Sequence, residues 1–193
     1  HLEALKRFGR WTDVLAAPPF PPELPVATAY RHYVRGVALS ALGRLEEAKA
    51  ELAALHKALP AIPRDAAWGS NTAAAVMAVA PLALAGEIAY RQRSLPTAVS
   101  SLQEAVALED ALKYDEPPPW TVPSRHALGA VLVGARRYAE AEAAYREDLR
   151  RYPENGWALQ GLAKALEGQK KSAQAAEVKA RLQKARARAE AKI

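Results

Sequence analysis

Between Ser124 and Pro153 the chain reads SRHALGAVLVGARRYAEAEAAYREDLRRYP, two runs of apolar residues at helical spacing around a short basic break. Leu128, Val131 and Leu132 form one stripe; Tyr138, Ala141, Ala144, Tyr145 and Leu149 form the other. The pattern predicts two amphipathic helices joined by a tight turn. Pro153 should end the second, because it lacks an amide hydrogen and clashes with the turn before it. Gly129 and Ala141 are small residues that let a neighbouring helix approach.

The same spacing recurs along the chain. Gly36 and Ala48, Gly86 and Ala98, Gly129 and Ala141, and Ala163 and Ala175 each stand twelve residues apart. Four residues beyond those alanines come Leu52, Leu102, Tyr145 and Lys179, and twelve beyond two of them come Pro60 and Pro153. This arrangement resembles the tetratricopeptide repeat (TPR), in which helix A carries a small residue, helix B an Ala followed by a large apolar residue, and a Pro closes the unit. The likeness is to bacterial TPR proteins of broad type and covers nearly the whole chain. It implies an all-α fold, a right-handed α-solenoid of antiparallel helix pairs (the TPR superhelix). The third copy matches most fully. The first has His32 where the family has a helix-A Trp, and the second has Ala85 where Leu is usual. The fourth has Lys179 at the large apolar position, which a terminal repeat can expose.

In this reading one array fills residues 1–193. Residues 2–16 form a partial leading copy, with Trp11 in phase with Leu45, Leu95 and Tyr138. Such a mid-repeat start suggests the C-terminal part of a longer protein or a fragment. Residues 18–25, PPFPPELP, read as an extended linker. The first full copy spans 26–60, with helices from about Val26 to Leu42 and Leu45 to Leu59. The next, 71–112, follows a loop through Pro63 and Asp65. Its helix A starts early, near Asn71, and Pro81 should kink it or mark its restart; its helix B runs from Pro96 to about Leu112. Residues 113–121, KYDEPPPWT, are a proline-locked aromatic insertion. Copies at 122–155 and 156–193 complete the array, the last ending in a capping helix from about Ser172 to Lys192.

Composition narrows the chemistry. Half of the 193 residues are apolar, enough for a continuous core, and there is no Cys. Disulfides, thiolate metal sites and cysteine nucleophiles are therefore excluded, though no compartment is assigned. No apolar run approaching membrane-spanning length is read in the sequence, so no span is expected. Residues 169–193 carry eight basic and two acidic groups, equal to the net +6 of the whole chain. A surface wholly devoted to polyanions is not indicated, and no nucleic-acid partner is expected.

Catalytic signatures do not emerge. The four histidines show no HExxH or i,i+4 pairing, and no GxSxG, phosphate loop or dinucleotide fingerprint occurs. No enzyme activity, metal or cofactor is expected. Family geometry instead implies a concave groove lined by helix-A positions. Carried over by position, these include Tyr30, Tyr33, Val37 and Ser40; Ala80, Ala83, Glu87, Tyr90 and Arg91; Pro123, His126, Ala130 and Val133; and Trp157, Gln160, Lys164 and Glu167. The family's two-carboxylate clamp would fall on Tyr33, Val37, Leu84, Pro123 and Ala127, none of which matches. Acidic chaperone tails are thus not expected to bind by that mechanism.

Trp120 and Tyr114 of the insertion could dock a partner, but Trp120 reads better as a plug between helix pairs. In the basic tail, Val178, Leu182, Ala185 and Ala189 face inward, and Glu177–Arg181 and Arg186–Glu190 are spaced for ion pairs. The resulting expectation is a non-catalytic scaffold that binds a protein or peptide in its groove, with self-association left open. Its alternatives are an accessory domain of a larger enzyme or transport-related protein, and a basic-tail binder of nucleic acid or anionic membrane.

Overall fold

The computed structural model describes residues 1–187; Ala189, Glu190 and Lys192, assigned to the last helix from sequence, lie outside them. In chain order the helices are α1 (Leu2–Arg7), α2 (Trp11–Ala16), α3 (Pro25–Ala41), α4 (Leu45–Ala58), α5 (Ala73–Met77), α6 (Val79–Arg91), α7 (Leu95–Asp110), α8 (Ser124–Gly134), α9 (Tyr138–Arg151), α10 (Gly156–Gly168) and α11 (Ser172–Arg186). The fold is all-α apart from a minimal antiparallel hairpin, β1 (Ala67–Trp68) with β2 (Asn71–Thr72). Two compact units divide the chain, His1–Val122 and Pro123–Ile193.

Helices adjacent in sequence pack as pairs: α1 with α2, α3 with α4, α6 with α7, α8 with α9 and α10 with α11. Each pair is joined by the same turn. One residue sits in the left-handed region: Gly9 (φ 67°), Gly43 (78°), Arg93 (62°), Arg136 (59°) and Lys170 (62°). The amide after it then reaches back to the carbonyl five residues earlier, from Arg10 to Leu5, Arg44 to Leu39, Ser94 to Ala89, Arg137 to Leu132 and Lys171 to Leu166. This is the Schellman arrangement, which satisfies carbonyls that a helix end leaves unpaired. Only two of the five positions are glycine, the residue that adopts this conformation without steric cost.

Small and large residues interlock across the helices. A Cβ added at Gly86 would lie 2.5 Å from Leu102, and one at Gly129 would lie 2.4 Å from Tyr145. In both cases the filler is the residue four beyond the helix-B alanine. The first copy differs: Leu84 of α6 fills the space at Gly36, and Leu52 is only half-buried. In the second unit Tyr145 is clasped from both sides, since a Cβ at Gly161 would lie 2.1 Å from its ring.

The first unit contains the departures from regular spacing. Thr72 caps α5 by accepting a hydrogen bond from the Ala75 amide, so the helix starts two residues after the expected Asn71. Residues 67–72, expected in a loop and early helix, form the hairpin. The break at Ala78 follows from Pro81, which has no amide hydrogen to offer the Met77 carbonyl. Together Ala73–Arg91 make 19 residues of mean hydropathy 1.7, long and apolar enough to cross a membrane. That corrects the reading that no apolar run approaches this length. In this unit the segment is the packed centre, with Val76, Met77, Val79, Ala80 and Leu84 wholly buried.

The hairpin and the proline-rich insertion hold each other. Both Asp115 carboxylate oxygens accept from the Ser70 amide at 3.0 and 2.9 Å, and Asn71 Nδ2 donates to Asp115 at 3.0 Å. Asn71 also exchanges two bonds with the Lys113 backbone, at 2.9 and 2.8 Å. Gly69, at φ 59°, brings its backbone so close to Asp115 that a Cβ would lie 2.4 Å from the carboxylate.

If the pair-joining turns set the helix directions, relieving their strain should stabilise the chain. Arg93→Gly, Arg136→Gly and Lys170→Gly should each raise unfolding free energy by about 0.5–1 kcal/mol. Gly43→Ala should lower it by about 1 kcal/mol. Urea titrations followed by circular dichroism would read both signs.

Candidate binding site

In the first unit, the positions expected to line a groove are largely inside. Tyr33 is 6% exposed and Ser40 is fully buried. Trp120 of the insertion covers Tyr33, its ring 5.3 Å away and itself 5% exposed. Lys6 of α1 closes the other side. Its Nζ donates to the Tyr33 hydroxyl at 3.2 Å and stands 4.6 Å from the ring centroid. Burial pushes the Lys6 ammonium down, opposed by the Glu3 carboxylate 3.2 Å away. It also pushes the Tyr33 hydroxyl well up and the Glu87 carboxyl up, the latter against the pull of Arg91 and Lys6. Tyr33 and Ser40 are therefore structural rather than groove-surface residues, because this chain's own segments cover that face.

Other expected residues fall at edges. Tyr30 is half-buried, 5.8 Å from the Tyr33 ring. Tyr90 is half-buried beneath the exposed Arg91, whose guanidinium lies 6.0 Å from its ring. Tyr114 is 78% exposed and its hydroxyl bonds to Glu116. His32 pairs with Glu51 at 2.6 Å, and Arg35 joins that carboxylate at 2.7 Å while bonding the Leu15 carbonyl at 2.9 Å. This cluster ties α2, α3 and α4 together. Among the described residues no group of three or more His, Asp or Glu is placed to hold a metal.

In the second unit the corresponding positions converge. His126, Ala130 and Val133 of α8 and Trp157, Gln160 and Lys164 of α10 line one concavity of about 260 Å³, floored by Tyr145 and Gly161. His126 Nε2 is held at 2.9 Å by Asp148, which is fully buried. Arg186 of α11 donates to Gln160 Oε1 at 2.9 Å, fixing that amide. Lys164 is exposed, and Trp157 presents a half-buried face. Burial and the Asp148 charge push the Tyr145 hydroxyl up, so it stays protonated and can donate or accept a hydrogen bond. The site offers an aromatic wall, an amide, an imidazole and the exposed Lys164 ammonium.

Asp148 was not singled out from sequence, yet a signal existed. It follows Ala141 and Tyr145 at i+7 and i+3 on the apolar stripe of α9, where a carboxylate must find a partner. Glu109 carries the same signature after Leu102 and Ala105, and it is buried too. The basic tail departs from expectation: Arg181 binds Glu154 of the preceding turn at 2.6 Å, and Lys179 pairs with Glu167. Comparison of the chain with family models, with curated proteins and with solved structures finds no match.

Glu142 braces the second unit. It accepts from Lys171 and Gln169 at 2.7 Å and from Arg146 at 2.8 Å, which holds its carboxyl down at about 2, against an ordinary 4.5. A depressed carboxylate stabilises the fold above its unfolded value and loses that contribution as pH falls towards its folded value. Wild type should thus be more stable than Glu142→Gln at neutral pH, and the two should converge between pH 4.5 and about 2. Urea midpoints measured across that range check the prediction.

Proposed function

We propose that the helix pairs are tetratricopeptide-type repeats of right-handed sense, and that the chain is a non-catalytic scaffold that binds an extended peptide segment in the concavity between α8 and α10. One observation carries this reading. Six positions named from sequence as groove-facing, three on each helix, line the same concavity. The turn repeated in all five helix pairs and the small-to-large interlock support the repeat assignment.

The chemistry suits a peptide better than a reacting substrate. Trp157 offers a broad face for one apolar side chain, since a rigid aromatic anchors much area at little entropic cost. Gln160 and Lys164 offer a hydrogen bond and a positive charge to backbone carbonyls or an acidic neighbour. His126, pinned by Asp148, adds a fixed polar edge. At about 260 Å³ the concavity takes one or two side chains, leaving the rest of the segment to run along the helices. The tail is disfavoured as a polyanion site because Lys179 and Arg181 already face carboxylates.

Selection from a random phage-displayed peptide library against the full chain tests this directly. Enriched peptides should bind wild type saturably and lose about tenfold in affinity with Trp157→Ala or Lys164→Ala. Tyr33→Ala, in the other unit, should leave their affinity unchanged. No enrichment, or equal binding to the Trp157 and Lys164 variants, overturns the proposal.

A further inference from the structure

The first unit holds a further cavity that the peptide reading does not use. It measures about 500 Å³, within the size range of small-molecule sites. Its walls come from α1, the proline-rich segment, the start of α3, strand β1 and the end of the insertion. Four aromatic side chains line it, Phe20, Tyr30, Trp68 and Trp120, with Leu2 and Val26 beside them.

Two of these walls are fixed by the protein's own contacts. Trp120 packs 5.3 Å from the Tyr33 ring, and the Tyr33 hydroxyl accepts from Lys6 at 3.2 Å. Trp68 belongs to the hairpin whose Ser70 amide and Asn71 side chain donate to Asp115, in the same insertion that supplies Trp120. A ligand would meet rings already in place, and walls set in advance reduce the ordering cost of binding. Aromatic rings gain from offset or edge-to-face partners, so this lining favours a ring over a saturated body of the same size.

The charged groups of the lining come in both signs. Lys6 and Glu3 pair at 3.2 Å. The exposed His1 sets a terminal ammonium and an imidazole against the carboxylate of the exposed Glu23. Counted with a neutral imidazole, the two ammonium groups and the two carboxylates cancel. A ligand of either sign would lose hydration among apolar walls without an excess of opposite charge to offset that loss.

We propose that this cavity binds a small neutral aromatic molecule, its ring held among Phe20, Tyr30, Trp68 and Trp120. The site lies within the first unit and does not depend on the peptide reading of the second.

Isothermal titration of the full chain at neutral pH with four probes of one shape tests this: biphenylmethanol, biphenylmethylamine, biphenylcarboxylate and bicyclohexylmethanol. Biphenylmethanol should bind saturably at one site. The amine and the carboxylate should both bind more weakly, whatever their sign, and so should the saturated alcohol. Trp68→Ala should weaken biphenylmethanol about tenfold, with unchanged circular dichroism. Phe20→Ala, at an exposed position that folding does not depend on, should weaken it in the same direction. Trp157→Ala should leave it unchanged. No saturable binding of biphenylmethanol, binding of any other probe as tight as its own, or insensitivity to both the Trp68 and Phe20 variants overturns the proposal.

Discussion

Five times the chain reverses direction through a single residue in the left-handed conformation, and the packing depends on those reversals. Four of the five turns place their residue seven positions after a small helix-A residue (Gly36, Gly86, Gly129 or Ala163), which gives helix B a similar register in each. That register brings Leu102 over Gly86 and Tyr145 over Gly129. The turn and the interlock are thus two ends of one constraint. Arg93, Arg136 and Lys170 tolerate a conformation disfavoured for side chains because packing on both flanking helices determines it.

The two units differ in what covers the helix faces that were expected to line a groove. In the first, α1 and the insertion fill the space over Tyr33, and a buried cluster of Lys6, Tyr33 and Trp120 replaces a solvated wall. Lengthening the connections made that possible, since the residues beyond regular spacing provide both the hairpin and Trp120. In the second unit the spacing is regular, no insertion intervenes, and the face between α8 and α10 remains concave.

Much of this was legible in the sequence, and the reasons for the remainder are specific. Helix pairing could be read because glycine and alanine recur at a spacing that only a returning helix explains, and Trp11 extended the phase to the shortest pair. Trp120 could be read as a plug because a lone tryptophan among prolines is costly to expose. The covering of Tyr33 was not legible: its partner lies 87 residues further on, and local periodicity carries no information at that range. The hairpin escaped because two-residue strands have too few positions to show alternation. Its anchor, Asp115, is one acid in a proline-rich loop, and nothing in the local sequence points to a partner 45 residues away.

The face over Tyr33 is closed in the first unit and the face between α8 and α10 is open in the second, and the four tryptophans report on both. Fluorotryptophan labelling, with resonances assigned by single Trp→Phe variants, allows each ring's broadening by a soluble paramagnetic agent to be measured. Trp120, 5% exposed, should be strongly protected, and Trp157 should broaden readily. Broadening of Trp120 to the same degree as Trp157 would contradict it, because the face over Tyr33 would then be open.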